Sequence, residues 1–346
     1  MQIRNLHRAS RKHTGMEIFM RKLRTTLQLL FTILTNGYLY GFLQGKIYRG
    51  KLKYACLPGL NCYSCPGALA SCPIGALQAL LNQRGFTVPF AALGFLFVFG
   101  SLLGRFVCGW LCPFGLVQDL MHRIPLPGQR TVAPAASALG SRRQRTDAPV
   151  SSAPGSRRQH TDTAPDREHP SRLFAVFRKR KRLPFHHILK HGKYLTLVGL
   201  VFLGSAFLTD GFAKFPAFCK YLCPSGTLLG ALPLLGANER LRSQAGGLFF
   251  WKLGILLVLL LLSVFVYRPF CQYLCPLGAV YGLFNRFSLV QIRWEEERCI
   301  HCSACETACP VGLSVREISH SPECIRCGEC IAACPKKCLR FSGKIH

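Results

Sequence analysis

The sequence predicts an α-helical integral membrane protein, with about four transmembrane helices in two pseudo-repeats, followed by a small α+β C-terminal domain. Three observations predict this: four uncharged or nearly uncharged stretches of span length, a strong excess of basic residues confined to the segments between them, and a Cys-Pro-x-Gly string that recurs four times. Hydrophobic residues make up 49% of the 346 positions and charged residues only 17%, yet Lys and Arg number 44 against 15 Asp and Glu. Apolar spans dilute charge while cytoplasmic loops collect Lys and Arg, so a membrane protein has such a composition as a matter of course. A nucleic-acid binder is also basic. Here the basic residues lie in tails and loops beside apolar stretches, with no winged, finger or sheet module, so the reading is no nucleic acid partner.

Residues 1–24 read as a basic cytoplasmic tail, whose following apolar stretch is full span length and lacks an A-x-A-like cleavage site, unlike a secretory signal. A bilayer core needs about 17–25 mostly apolar helical residues, and four stretches meet that: 25–44, 85–104, 194–213 and 249–267. They divide into a first membrane repeat, 25–126, and a second, 185–290. Between them, 127–184 is rich in Ala, Pro, Ser and Arg, holds the near-duplicates GSRRQRTD and GSRRQHTD, and has too few apolar residues to offset the cost of ordering, so it is expected to be a disordered basic linker. Its basic end, Arg178–Arg182, is expected either to lie on anionic headgroups or simply to fix topology. Four spans put the basic tail, the linker and the C-terminal domain on one side, which the positive-inside rule makes cytoplasmic. The expected location is the cell membrane, multi-pass, with both termini cytoplasmic and membrane lipid as a partner.

Nineteen cysteines carry the chemistry. Residues 291–346 hold CIHCSACETACP and CIRCGECIAACP, each a C-x2-C-x2-C-x3-C-P run. Three closely spaced thiolates wrap three irons of one cubane, the fourth cysteine points to the other cluster, and proline turns the chain away. This predicts a two-[4Fe–4S] ferredoxin domain: Cys299, Cys302, Cys305 and Cys334 on one cluster, Cys324, Cys327, Cys330 and Cys309 on the other. Zinc sites are also thiolate-rich but use separated pairs rather than this interleaved set. Cys338 falls outside the pattern and reads as a small buried hydrophobe or an idle thiol.

The repeated string occurs as CPIGALQALL at 72, CPFGLVQDLM at 112, CPSGTLLGAL at 223 and CPLGAVYGLF at 275, and the last three have a further cysteine four residues upstream. Such internal duplication signals a pseudo-symmetric fold with its site at the repeat interface. A spacing of four puts two thiolates one helical turn apart on one face, so two pairs make a four-thiolate site. Cys108, Cys112, Cys271 and Cys275 follow the second and fourth stretches and are expected to share a membrane cluster. Cys65, Cys72, Cys219 and Cys223 are the second candidate set, with Cys62 one thiol more than needed and Cys56 unassigned. A disulfide, reactive thiols or a helix cap remain open for this second set.

FVCGWLCPFGLVQDL and FCQYLCPLGAVYGLF, followed by a two-cluster tail, resemble the membrane polyferredoxins of the NapH and NosR type. The resemblance covers most of the chain outside the tail before Thr25 and the linker. It implies four or more spans with paired C-x3-C-P motifs and electron relay between quinol or flavin partners and a terminal redox enzyme. The extra Cys62, Cys65, Cys72, Cys219 and Cys223 and the long linker depart from that pattern and leave donor, acceptor and direction open. The expected function is membrane-bound electron transfer through [4Fe–4S] clusters, two in the tail and one or two more in the membrane part, between a cytoplasmic or quinol donor and a partner redox enzyme. The alternative is a membrane redox sensor or a maturation factor for a partner metalloenzyme. With no Ser-His-Asp set, phosphate loop or dinucleotide fingerprint, the chain reads as an electron-transfer subunit rather than an independent enzyme.

Overall fold

The computed structural model describes residues 2–82, 90–124, 185–210, 213–318 and 320–343. The linker expectation, 127–184 with its basic end, lies outside the described residues.

Each Cys-Pro-x-Gly string starts a helix. Cys72, Cys112, Cys223 and Cys275 sit in extended backbone at the N-cap, and the prolines that follow occupy the first helical turn. Proline suits that place because its fixed φ is already helical and its missing N–H would have had no partner. The helices so begun are Pro73–Leu81, Pro113–His122, Pro276–Phe284 and a stretch over 224–237. Three of the four are preceded by a five-residue helix, Phe106–Trp110, Ala217–Tyr221 or Pro269–Tyr273, carrying the upstream cysteine. The break between the two helices repeats in detail. The Cys112, Cys223 and Cys275 amides donate to the carbonyls of Val107, Phe218 and Phe270 at 3.1, 2.9 and 2.9 Å. A cysteine pair therefore straddles a corner between two helices instead of lying on one helix face, because the proline cannot continue the first helix.

The expected four transmembrane helices are not what the structure has. Among the described residues one helix, Gly247–Phe265, is long and apolar enough to cross a membrane. The first apolar stretch belongs to a long helix, Gln2–Thr35, whose N-terminal half is basic and which stops before Asn36 and Gly37. The second is described as a helix only over Phe90–Leu103, about 21 Å long against a core of about 30 Å. It ends because Gly104 takes φ +52, and a side chain there would meet Arg326, Asn285 and Ser288 at 2.9 Å. The third is a helix over Gly192–Phe207, partly π-helical at Thr196–Leu203, and again shorter than a span. Window hydropathy counted apolar residues without registering where the chain turns. The Gly247–Phe265 helix turns Phe250, Leu257, Val258 and Leu261 outward.

The tail is tied to the rest at both ends of the chain. Strand Gln291–Trp294 pairs antiparallel with Leu339–Ser342, register Ile292↔Phe341, closing the domain around Ile292, Val311, Leu313, Ile325 and Leu339. Helix Gln2–Thr35 crosses the boundary drawn at residue 24 and packs on the tail helix Glu329–Ala333. A second core, built on Leu60, Ile74, Phe114, Phe218, Phe270 and Tyr281, surrounds the Cys-Pro-x-Gly corners.

Candidate iron–sulfur centres

All nineteen cysteines are free thiols, so the disulfide alternative has no counterpart in the structure. They gather into four sets. In the first, Cys299, Cys302, Cys305 and Cys334 line one cavity of about 70 Å³. In the second, Cys330 lies within electrostatic reach of Cys327, Cys324 and Cys309, and also of Cys305 in the first set. The third, central set crosses the two repeats: Cys275 is within reach of Cys271, Cys108 and Cys112. The fourth, distal set places Cys219 within reach of Cys223, Cys72 and Cys62. Cys65, expected in this last set, lies beside it. The turn closed by the Cys65 amide on the Cys62 carbonyl (3.1 Å) aims the Cys65 thiol at the Leu229 carbonyl, 3.2 Å away. The Cys62 sulfur instead sits against Gly226, next to Cys223. Cys56 forms a bridge to Ser71 outside the set.

The central set is enclosed by a reciprocal pair of arginines that the sequence reading missed. Arg105 and Arg268 each stand three residues before the first cysteine of their own pair, and each reaches across to the other repeat. Arg105 donates to the Cys271 carbonyl at 2.9 Å, and Arg268 donates to the Cys108 carbonyl. Both are fully buried. Arg268 is held by a bidentate pair to Asp119 at 2.6 and 2.5 Å, and Arg24 reaches the same carboxylate at 3.3 Å. Burial works to raise the Asp119 pKa, but Arg268 and Arg24 outweigh it and hold the carboxyl below its ordinary value. Arg105 finds its anion in the tail, donating to Glu323 at 2.8 Å and to the Pro322 carbonyl at 2.7 Å, while Lys193 meets the same carboxylate. Desolvation, then the Arg105 charge, brings Lys193 down to about 8 despite Glu323. The signal was an R-x2-C spacing in RFVC and RPFC, absent before Cys219.

Gln118 Nε2 lies 3.2 Å from Cys271 Sγ, and its carbonyl accepts from the Phe270 amide at 3.2 Å. Gln78, the equivalent residue six after Cys72, is spent on Ser205 Oγ (2.9 Å) and the Leu200 carbonyl (3.3 Å).

The second and central sets meet directly. Ile325 packs on Gly109 so closely that a Cβ on Gly109 would lie 2.3 Å from the Ile325 carbonyl oxygen, which only glycine permits. Trp110 Nε1 donates to the Arg326 carbonyl at 2.9 Å, and Arg326 donates to Leu103 and Asn285 carbonyls at 2.9 and 2.6 Å. The central and distal sets are bridged by Tyr281, whose hydroxyl donates to the Pro58 carbonyl at 3.1 Å.

The donor chemistry fits [4Fe–4S] clusters. Each is an all-thiol set, and burial pushes Cys271 and Cys72 up to about 12, so a bare thiolate is unfavourable there and a metal-bound one is the stable anionic form. Cations stand beside the sets: Arg24 at Cys327, Arg326 at Cys324, Arg105 and Arg268 at Cys108, Lys252 at Cys223. Among the described residues no three Cys, His, Asp or Glu side chains converge on a single point, as one tetrahedral ion requires.

Comparison with known proteins agrees with this chemistry. A 4Fe-4S binding domain family matches at 71–90, 84–131, 195–239 and 248–295, and a second family of that description matches at 291–314. The chain is 27% identical over 271 residues to the "uncharacterized protein MJ0750" of Methanocaldococcus jannaschii, covering 78% of this chain and 86% of that one. It is 40% identical over 251 residues to MJ0749 of the same organism, covering 71% and 67%. The methylamine utilization ferredoxin-type protein MauN of Paracoccus denitrificans is 39% identical over 90 residues, 25% of this chain and 32% of MauN. No solved structure matches. The chain thus belongs, with MJ0749, to a family of 4Fe-4S binding, ferredoxin-type proteins, and is an iron–sulfur electron-transport protein carrying [4Fe–4S] clusters, its C-terminal end included.

Proposed function

We propose that the protein is a membrane-bound electron-transfer subunit of the NapH and NosR type, in which four thiol sets form one unbroken line of [4Fe–4S] sites. The observation that carries this is the closeness of successive sets: Cys305 beside Cys330, Ile325 on Gly109, and Tyr281 within reach of Cys108 on one side and Cys72 on the other. When bound, each cluster supplies a one-electron redox centre. The polypeptide fixes the order of the sets, excludes water from the central one, and offsets thiolate charge with Arg105 and Arg268. Lipid as a partner is supported by the Gly247–Phe265 helix and by outward-facing Leu30, Ile33, Phe97, Leu195 and Phe202 on other helices. The basic excess of residues 1–24 favours a cytoplasmic face for the N-terminal tail. The donor is then a cytoplasmic protein or a quinol, and the acceptor a partner redox enzyme.

Iron and acid-labile sulfide counted on anaerobically purified protein test this. Four clusters require about sixteen irons per chain, against about eight for a tail-only protein. Cys108→Ala and Cys271→Ala are each expected to remove about four irons and abolish the same electron paramagnetic resonance signal. Eight irons in the parent protein would refute the line of four.

A further inference from the structure

The cavity of the first tail set is lined by five cysteines, not four. Besides Cys299, Cys302, Cys305 and Cys334 it includes Cys338, which the C-x2-C-x2-C-x3-C-P pattern does not use. Its sulfur lies 3.2 Å from Cys334 Sγ and hydrogen-bonds the Cys299 thiol as well, so it stands between two of the four expected ligands. The placement is built by the backbone. Lys337 takes φ +52, a left-handed conformation uncommon for a side chain of its size, and this turns Cys338 back toward the cavity. The Cys338 carbonyl then accepts from the Glu295 amide at 2.9 Å, fixing the residue at the start of the closing strand pair. Cys338 is buried, whereas Cys302 in the same lining is exposed, so the spare thiol is protected from solvent.

We propose that Cys338 is an exchangeable fifth ligand of the first tail cluster, able to take the iron that Cys334 holds. The proposal rests on the assignment of this set as a [4Fe–4S] site. The exchange forms one Fe–S bond and breaks one. Cys338 gives up its thiol proton as it binds, the released Cys334 thiolate takes up a proton, and no electron moves. A cluster next to an exposed rim is the one most open to ligand loss, and an adjacent thiol lets the iron keep four-fold ligation when one sulfur is lost.

The test uses full-length protein purified anaerobically, with iron and sulfide per chain and the resonance spectrum of the reduced sample as readouts. Cys338→Ala is expected to keep the parent iron content, and so is Cys334→Ala, with its spectrum altered by the new ligand. Cys334→Ala/Cys338→Ala is expected to lose about four irons, as is Cys305→Ala, which has no spare thiol beside it. If Cys334→Ala alone loses as much iron as the double variant, the exchange is overturned. If Cys305→Ala loses none, the site assignment itself fails and takes the proposal with it.

Discussion

Replacing Arg268 by methionine removes a fully buried guanidinium but keeps much of its volume. The structure says what is left behind. Asp119 loses two hydrogen bonds of 2.6 and 2.5 Å and keeps Arg24 at 3.3 Å, and the Cys108 carbonyl loses its donor. Removing one partner of a buried ion pair costs about 3–5 kcal/mol, because the surviving charge is uncompensated. Arg24 remains, so the lower end, about 3 kcal/mol, is the expected loss. For a domain-sized unit of 150–250 residues each kcal/mol moves Tm by about 2–4 °C, giving a drop of about 6–12 °C. The assay is thermal bleaching of the iron–sulfur absorbance in detergent at pH 7. Adding Asp119→Leu removes the stranded charge, and the double variant is expected to recover about 1–2 kcal/mol of the loss, leaving about 1–2 kcal/mol for the orphaned Cys108 carbonyl. A double variant less stable than Arg268→Met alone would refute the claim that Arg268 exists to balance a buried carboxylate.

The same pair has a pH signature. The folded-state pKa of Asp119 lies below its ordinary value, so its contribution is complete above about pH 4 and is lost as pH falls through the lowered value. Asp119→Asn is expected to remove that acid-side loss from a stability–pH curve. Gln118→Leu deletes the donor to Cys271 Sγ, and hydrogen bonds to sulfur favour the reduced, more negative cluster. Spectroscopic redox titration is expected to show a lower potential for the central cluster at unchanged iron content. Cys62→Ala is expected to cost about four irons per chain and Cys65→Ala none, since Cys62 stands within reach of Cys72, Cys219 and Cys223 while the Cys65 thiol faces the Leu229 carbonyl. Equal losses would return Cys65 to the set. Gly109→Val drives a side chain into the Ile325 carbonyl and costs about 1–3 kcal/mol of overpacking. Faster hydrogen exchange confined to 322–330 and to the facing Phe106–Trp110 helix is the expected result.

The grouping of the tail cysteines was legible because a cubane forces local spacing, and two runs of the same pattern imply two interleaved sets. The Cys-Pro-x-Gly strings were equally legible as a repeat, since proline at the first helical position is a local preference. Cys62 was not separable from Cys65 by spacing, because the choice is made by a turn and by Gly226, far away in the chain. Arg105 and Arg268 were hidden for a different reason. Each finds its carboxylate and its carbonyl partner outside its own repeat, so its neighbours in sequence do not reveal it. Four spans were overcounted because apolar content registers hydrophobic burial and lipid contact alike, whereas helix length is decided by Gly104 and by the Asn36-Gly37 break.

The first helix makes its closing contacts with residues synthesised some three hundred positions later. Arg21 and Arg24 meet Glu329, 308 positions from Arg21, while Arg105 finds Glu323. A nascent chain lacking the tail therefore has Arg24 short of one carboxylate and Arg105 with none, in surroundings built to be dry. Contacts between chain ends carry a large loop-closure cost and form late. The latch can thus close only after Glu323 and Glu329 have left the ribosome, and Arg24 and Arg105 wait for those carboxylates until then.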